Sequence, residues 1–185
     1  ILNQTFQDFE LLIINDGSTD ATADFLDSLE DKRIRVIHQE NRGLCETLNR
    51  ATSEALSEWI ARLDQDDISV PDRLERQYNF LLKHSDVVAV FSSIRRIGPS
   101  GRPFGGIYSY LPEGNNFIYD PWVHGVIPHS TMLFNKFAVL AVGGYRSAFY
   151  PVDDWDLALR LSEKFKLAVI KEPLVSYRIH PNAST

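Results

Sequence analysis

Cysteine and long apolar runs are scarce in this chain of 185 residues. The one cysteine, Cys45, cannot form an intrachain disulfide, which excludes a disulfide-stapled secreted fold and fits a reducing compartment. We interpret Cys45 as a packed thiol rather than a nucleophile, because no nucleophile motif surrounds it. The longest apolar runs, at 11–14 and 87–91, have the length of strands and fall far short of the roughly 20 residues that a membrane helix needs.

Positively charged residues are also few. Lysine and arginine total 19 against 25 aspartate and glutamate residues, so the formal net charge is -6. The chain has no basic stripe that would neutralise a phosphate backbone, and we therefore expect no nucleic-acid partner. A smaller phosphate ligand would need local basic groups, backbone N–H donors or a metal ion. The length and the 44% hydrophobic content predict a single globular domain over residues 1–185.

The first half of the chain, residues 1–97, alternates short apolar segments with amphipathic ones. This alternation predicts an α/β fold in which a central, mostly parallel sheet is flanked by helices. The strands are predicted at 10–15, 34–38, 58–63 and 87–94, and the helices at 21–29, 43–52 and from residue 71 onward.

The second half, residues 98–185, is richer in loops. Residues 98–128 contain glycine, proline, tyrosine and asparagine without a clear period, and so long an irregular segment is typical of one that serves a site. The regular elements predicted in this half are strands at 131–135, 167–170 and 174–179 and helices at 136–142 and 154–164.

Three carboxylates follow the third predicted strand within four residues, namely Asp64, Asp66 and Asp67. Ligands of open α/β sheets bind at the carboxyl ends of the strands, where this cluster lies. Like charges this close raise one another's pKa, and a divalent cation that prefers oxygen ligands, Mg²⁺ or Mn²⁺, relieves the repulsion. A solvated acidic turn that caps the next helix through Asp67 or Ser69 is the alternative. The position after a buried strand favours a metal–phosphate site.

The first predicted strand ends in the turn Asp16-Gly17-Ser18. In a doubly wound sheet this turn lies on the same edge as the Asp64–Asp67 cluster. Gly17 permits backbone geometry closed to other residues, and Asp16 can accept hydrogen bonds from the N–H groups of a ligand. Ser18 and the following helix N-terminus can meet polar or anionic groups. A plain turn and helix cap is the alternative.

A second acidic group, made of Asp153, Asp154 and Asp156, comes at the start of a predicted helix. One aspartate can serve as a helix cap, which is the simplest interpretation. Three acids exceed what a cap needs, and a carboxylate at a helix start beside a pocket can act as a general base. The two acidic groups would then divide the work, one holding a metal and the other moving a proton.

His180 is the histidine that best fits a place in the metal site. It follows a strand-like run near the end of the sequence, and a histidine there can complete a site built from aspartates. A lone histidine is more often a structural residue, and this interpretation is the alternative for His180.

Seven short segments occur in a fixed order along the chain. They are IINDGSTD (13–20), NRGL (41–44) with Asn49, LDQDD (63–67) through PDRL (71–74), HSTMLF (129–134), GGY (143–145), DDWDL (153–157) and YRIHP (177–181). The ordered set resembles the inverting nucleotide-sugar glycosyltransferases of family 2, which have the Rossmann-like GT-A fold. The resemblance runs from about residue 1 to residue 182. It implies the transfer of a sugar from a nucleoside-diphosphate sugar, usually a UDP-sugar, to an acceptor hydroxyl in polysaccharide or glycan synthesis.

On the donor side, the resemblance implies that Asp16 reads the nucleotide base, with Ser18 and Asn41 also at the nucleotide sugar. Asp64 and Asp66 correspond to the D-x-D acids of the family, which face the ribose and the metal bound to the diphosphate. Residues 1–97 are accordingly expected to form the nucleotide-binding half.

At the reacting end, the resemblance implies that Asp154 is the catalytic base. Asp153 stands where the family usually has glutamate and is expected at the nucleotide sugar. Mn²⁺ or Mg²⁺ is the expected cofactor, held by Asp66, Asp67 and His180. In the implied mechanism Asp154 removes the proton of the acceptor hydroxyl, whose oxygen attacks the anomeric carbon and inverts its configuration.

The acceptor is expected to be a glycan or a lipid-linked sugar bound by residues 98–185. Tyr108 and Trp122 are candidate platforms for stacking on it. The implied location is the cytoplasm, at the inner membrane face, with peripheral membrane association.

Two departures from the family pattern carry expectations of their own. Asn15 stands where the family often has a second aspartate, so the contact with the base can differ there. The family pattern also begins with a strand and a turn before the position of Ile1. An inner strand and part of the nucleotide pocket are therefore expected ahead of Ile1.

Two other functions remain open from the sequence. A nucleotidylyltransferase shares the α/β half and the acidic metal site, but it attacks the α-phosphate and usually has a basic, glycine-rich loop after its first strand; no such loop is visible. A non-catalytic module that binds sugar nucleotides is the second, and the presence of both acidic groups argues against it.

Overall fold

Two parallel strands and the helix between them open the fold. The computed structural model describes residues 1–109 and 117–181. Strand β1 (Leu11–Asp16) pairs in parallel with β2 (Ile34–Gln39), and α1 (Thr22–Asp27) connects them. The apolar run of β1 ends where Asp16 and Gly17 begin a turn, because Gly17 takes a φ of 74° that other residues rarely adopt.

The other helices and strands are named here in chain order. They are α2 (Leu44–Glu54), β3 (Trp59–Ala61), β4 (Ile68–Ser69), α3 (Arg73–Lys83), β5 (Val87–Ile97), β6 (Pro103–Tyr108), β7 (Ile118–Tyr119), α4 (Pro121–His124), β8 (Leu133–Asn135), α5 (Lys136–Ala141), α6 (Asp153–Ser162) and β9 (Lys166–Arg178). Short 3₁₀ turns at His129–Thr131 and Ser147–Phe149 precede β8 and α6.

The second sheet is mixed. Within the described residues it has seven strands, in the order β3-β8-β5-β9-β4, with β6 added beside β5 and β7 beside β9. Its long ladder, β5 with β9, is parallel, as is that of β1 with β2. The short ladders that β4, β6, β7 and β8 make are antiparallel. The predicted α/β class, with a mostly parallel central sheet flanked by helices, is confirmed.

Strand β5 lies at the centre of the large sheet and is covered on both faces. Phe91 packs on one side with residues of α5 and α6, such as Val139 and Leu161, whereas Val90 packs on the other side with Leu81 of α3. Both faces of β5 are apolar, as expected for a strand between two helical layers. Among the described residues, no helix combines the length and the apolar character that a membrane crossing requires.

The structure corrects two predictions for the second half. The two final strands are one strand, β9, because bulges against β5 absorb the polar residues near Lys171 and Glu172 that look like a turn in the sequence. The segment 98–128 is not wholly irregular, since β6, β7 and α4 lie in its described parts. Residues 110–116 of that segment, and the last residues of the predicted acceptor half, lie outside the described residues.

Candidate active site

The turn after β1 is held by the Asp16 carboxylate. It accepts hydrogen bonds from Gln39 Nε2 at 2.6 Å and from the backbone N–H groups of Arg42 at 2.8 Å and Gly43 at 2.9 Å. Burial raises the pKa of Asp16, but these hydrogen bonds outweigh it, so the net pKa lies below the ordinary value. Asp16 therefore stays ionised and fastens the β1 turn to the start of α2.

Asn15 shapes the same turn from its buried side. Its Oδ1 accepts the backbone N–H of Ser18 at 3.0 Å, so its Nδ2 faces Nδ1 of His38, also at 3.0 Å. The Ser18 side chain lies on the exposed side of the turn. Asn15, which replaces the second aspartate of the family pattern, is thus a structural residue of the turn in this protein.

Gly17 and Asn41 touch through their backbones. A Cβ on Gly17 would lie 2.7 Å from the Asn41 nitrogen, which only the absence of a side chain permits. Asn41 is exposed beside this contact. The structure therefore brings together Asp16, Ser18 and Asn41, three of the residues predicted to bind the nucleotide sugar.

The acidic cluster of Asp64, Asp66 and Asp67 converges on one point. Ligand oxygens of the three side chains all lie within 4.8 Å of one another. His180 joins the cluster, because its Nε2 lies 2.8 Å from Asp66 Oδ2. Asp66 and His180 are 114 positions apart in the sequence. They meet beyond the ends of strands β3 and β9.

Asp67 is the most buried acid of the cluster. Its Oδ1 accepts the backbone N–H of Arg178 at 2.8 Å, whereas its Oδ2 is buried without a hydrogen-bond partner among the described residues. Burial is the largest cause that raises the pKa of Asp67, and the charges of Asp64 and Asp66 add to it. A buried carboxylate oxygen with no partner, beside two more carboxylates, fits a divalent cation with oxygen ligands.

Asp64 is fixed by two residues whose roles the sequence did not reveal. Arg62 forms an ion pair with its carboxylate. Ser130 Oγ donates to Asp64 Oδ2 at 2.6 Å and accepts the Asp64 backbone N–H at 3.1 Å. Ser130 belongs to the segment HSTMLF (129–134), which carries part of the family resemblance, but the sequence does not predict its contact with Asp64.

A fully buried arginine supports the cluster from below. Arg73 Nη2 donates to the carbonyl oxygens of Arg62 at 2.8 Å and Met132 at 3.2 Å, and its Nε donates to Gln77 Oε1 at 2.8 Å. Burial lowers the pKa of Arg73 to about 9, and repulsion from Arg62 adds to this, while Asp67 opposes it. The positive charge of Arg73 thus interacts with Asp67, the most buried acid of the cluster.

The second acidic group does not act as a unit. Asp156 forms ion pairs with Arg146 and Arg160, so it belongs to the scaffold. Asp153 is 4% exposed and lies against the buried thiol of Cys45. Burial, and after it the charge of Asp153, raises the pKa of Cys45 to about 11. Cys45 is therefore a packed, protonated thiol. The helix α6 has no side-chain cap, so the predicted capping role of an aspartate is wrong.

Asp154 is the acid of the second group whose pKa is raised. Burial is the largest cause that raises the pKa of Asp154, and the charge of Asp153 adds to it. A hydrogen bond from the Trp155 backbone and the charge of Arg62 act in the opposite direction but do not cancel the rise. Its carboxylate remains partly open to solvent. Since Arg62 also pairs with Asp64, this arginine lies electrostatically between the two acidic groups.

The two aromatic candidates for sugar stacking differ. The Arg96 guanidinium covers one face of the Tyr108 ring, 3.6 Å from its centroid. Trp122, on α4, is 67% exposed. One face of Tyr108 is therefore taken within the chain, whereas Trp122 presents a large apolar surface to solvent.

Comparison with known proteins identifies the family to which this chain belongs. The sequence profile described as "Glycosyl transferase family 2" matches residues 1–143. The chain therefore belongs to glycosyl transferase family 2, which confirms the resemblance seen in its motifs.

Three individual proteins make the comparison concrete. The O-antigen biosynthesis glycosyltransferase WbnJ of Escherichia coli is 36% identical, over 100% of this chain and 73% of WbnJ. A chondroitin synthase of Pasteurella multocida is 32% identical over 89% of this chain and 17% of the synthase. TarS 1-349 of S. aureus in complex with UDP-GlcNAc has the same fold, with a TM-score of 0.78, 16% identity and coverage of 98% of this chain and 53% of TarS. The chain thus spans about a sixth of the synthase and about half of TarS.

Proposed function

We propose that this chain transfers a sugar from a UDP-sugar to a hydroxyl group of a glycan or lipid-linked acceptor, with inversion at the anomeric carbon. The similar proteins support this proposal, because WbnJ is named as an O-antigen biosynthesis glycosyltransferase and the Pasteurella protein as a chondroitin synthase. Structures of TarS are described in complex with UDP and with UDP-GlcNAc. We further propose that the reaction takes place in the cytoplasm at the inner membrane face, where lipid-linked acceptors are reached by peripheral association.

One observation carries the proposal. The acids Asp64, Asp66 and Asp67 converge within 4.8 Å, and the partly exposed Asp154, with its raised pKa, lies within the electrostatic reach of Arg62 beside them. A cation-binding cluster and a separate carboxylate with base character are the two groups that a sugar transfer of this kind needs.

The donor side divides among the residues at the strand ends. We propose that Asp16 contacts the nucleotide base, that Ser18 and Asn41 lie beside it at the nucleotide sugar, and that Asp64 faces the ribose. Asp16 is ionised and already accepts the backbone N–H groups of Arg42 and Gly43, so part of its role is to fix the backbone ahead of α2 beside the nucleotide. We propose that Asp153, which is buried at the start of α6, lies at the sugar end of the donor.

The cation is proposed to be Mn²⁺ or Mg²⁺, held by Asp66 and Asp67 with His180 beside them. When bound, it neutralises charge that develops on the departing diphosphate. The unpartnered Oδ2 of Asp67 and the oxygen-rich donor set favour these hard cations over softer ones.

The chain's own part in the chemistry falls to Asp154. Its carboxylate accepts the proton of the acceptor hydroxyl, and the oxygen attacks the anomeric carbon from the side opposite the diphosphate. The bond between that carbon and the diphosphate oxygen breaks, and the nucleoside diphosphate leaves with the bonding electrons. The environment that raises its pKa makes Asp154 a better proton acceptor than an ordinary surface aspartate.

The decisive experiment is product analysis with a panel of UDP-, GDP- and dTDP-sugars, with and without Mn²⁺. Metal-dependent release of a free nucleoside diphosphate together with a glycosylated acceptor supports the proposal. A nucleotidylyltransferase would instead release pyrophosphate from a nucleoside triphosphate and a sugar 1-phosphate, which are assayed in a parallel reaction. Donor binding without turnover, measured by thermal shift and calorimetry, would indicate a non-catalytic binding module.

A further inference from the structure

One face of helix α2 contacts the proposed nucleotide turn, and its opposite face contacts Tyr145 and Asp153, the neighbour of the proposed catalytic base. On the nucleotide side, Gln39 Nε2 donates to both Asp16 Oδ1 at 2.6 Å and Thr47 Oγ1 at 3.0 Å. Gln39 Oε1 accepts from Arg50 Nη1 at 2.7 Å. Through Gln39 and Asp16, the β1 turn is therefore tied to the start and the middle of α2.

The opposite face of α2 carries Cys45 and Asn49, which are four residues apart and so lie one turn above each other. Asn49 makes a two-bond contact with the backbone of Tyr145. Its Oδ1 accepts the Tyr145 N–H and its Nδ2 donates to the Tyr145 carbonyl, each at 2.8 Å. Because both backbone groups are used, the amide orientation of Asn49 is fixed by its partners.

Gly144 is needed for this contact. Its φ is 66°, and a Cβ there would press into Asn49 Oδ1, far inside van der Waals contact. Tyr145 is anchored on its other side as well, because its hydroxyl lies 2.9 Å from Nε2 of the buried His129. The turn at residues 142–145 thus has one position relative to α2.

Helix α6, which begins with Asp153 and Asp154, is hydrogen-bonded to the turn at residues 142–145 through Arg160. Arg160 donates from Nη1 to the Val142 carbonyl at 2.5 Å and from Nη2 to the Gly144 carbonyl at 2.6 Å. Asp156 holds the Arg160 guanidinium in this position. Asn49 and Arg160 therefore connect α2 to α6 through one glycine-containing turn.

From this chain of contacts we infer that Asn49 is a positioning residue that sets Asp154 relative to the nucleotide-binding turn. The link runs from Asp16 through α2 and Asn49 to the 142–145 turn, and from there through Arg160 into α6. The inference rests on the proposed function in so far as it takes Asp154 to be the base.

The test uses Asn49→Asp, which keeps the shape of the side chain and removes the Nδ2 donor. We expect the transfer kcat to fall about 10–100-fold, because a displacement of about 1 Å of a reacting group has an effect of this size. The Kd for the donor, measured by calorimetry, stays within about twofold. Asn79→Asp makes the same chemical change at an exposed position of α3 and is expected to keep the wild-type kcat.

A double-variant comparison separates positioning from a merely structural role. In single-turnover transfer, Asn49→Asp added to Asp154→Asn is expected to cost little beyond Asp154→Asn alone, since the base on which Asn49 acts is already gone. Gly144→Ala, which displaces the Asn49 amide, is expected to reproduce the kcat loss by a second route.

Three results would overturn the inference: a wild-type kcat for Asn49→Asp, an equal fractional loss in the presence and absence of Asp154, or parallel losses of kcat and donor affinity in Asn49→Asp and Gly144→Ala. Failure of the proposed function is distinguishable from these results, because in that case the unmodified protein transfers no sugar from any donor of the panel.

Discussion

The two acidic groups of this protein each contain three aspartates, but the aspartates converge in one group and separate in the other. Asp64, Asp66 and Asp67 lie in a turn, and their oxygens meet within 4.8 Å. Asp153, Asp154 and Asp156 lie at the start of α6, and each finds different surroundings. The first group stays a cluster with an unpartnered oxygen, whereas the second separates into a buried acid, a partly exposed acid and an ion-paired acid.

The backbone explains the difference. An irregular turn can aim successive side chains at one point. A helix rotates each residue by about 100° from the one before, so Asp153 and Asp156 share its buried face and Asp154 points elsewhere. Equal spacing in the sequence therefore predicts shared chemistry in a turn and divided chemistry in a helix.

The largest effect that tests this comparison is expected from Asp154→Asn. The variant keeps the shape of the side chain but cannot accept a proton, so the transfer rate should fall about 10²–10⁴-fold. Donor affinity should remain close to wild type, because the acids of the turn are untouched. Steady-state kinetics and calorimetry measure the two quantities, with the exposed Asp86→Asn as control. Near-wild-type transfer would remove Asp154 from the role of base.

The next effect is expected from Asp66→Ala, which removes one acid of the converging cluster and the contact with His180. The gain in melting temperature that Mn²⁺ and UDP give together should be largely lost, because fewer oxygen ligands remain for the cation. Gln65→Ala, at the exposed position next to it, is the matched control and should keep the gain. An Asp66→Ala variant with undiminished Mn²⁺ dependence would place the cation elsewhere.

Asp156→Asn should change stability. Breaking the ion pairs with Arg146 and Arg160 is expected to lower the free energy of unfolding by about 1–3 kcal/mol, measured by urea titration at neutral pH. Asp154→Asn should leave it equal or higher, because burial already disfavours the ionised form of Asp154. Equal losses in both variants would contradict the division of labour within α6.

The pH dependence of stability follows from the direction of the pKa shift of Asp156. Burial raises the pKa of Asp156, but hydrogen bonds and charges from Arg146 and Arg160 outweigh it and lower the net pKa. Its contribution is therefore present above the ordinary aspartate pKa and is lost as the pH falls through the lowered value. The difference between wild type and Asp156→Asn should accordingly close at acid pH.

The smallest effect concerns the acid limb of the activity profile. The base must be ionised, so kcat/KM rises as the pH passes upward through the raised pKa of Asp154. Asp153→Asn removes the negative charge that adds to this rise, and the midpoint should move to lower pH. A pH–rate profile of the two proteins measures it. A midpoint that moves to higher pH would show that Asp153 does not repel the ionised base.

Much of the fold was predictable because its information is local. The apolar run of β1 and the continuous apolar character of β5 identify buried strands directly. The i, i+4 spacing of Asp156 and Arg160 could also have revealed their ion pair before the structure was known.

The partners of the acidic cluster were not predictable, because they come from distant parts of the chain. Ser130 is 66 positions from Asp64, and Arg178 is 111 positions from Asp67. No periodicity relates such residues, and the contact exists only after the sheet has formed. The bulges that keep β9 continuous escaped sequence reasoning for the same reason, since they depend on pairing with β5.

The late position of β9 has a consequence for biosynthesis. The cluster at Asp64–Asp67 leaves the ribosome well before Arg178 and His180, which hold Asp67 and Asp66. At about 5–20 residues per second, the 111 positions between Asp67 and Arg178 correspond to a delay of roughly 6–22 s. A nascent chain can therefore have β1 and β2 in place and still lack an assembled acidic cluster until β9 is translated and docked.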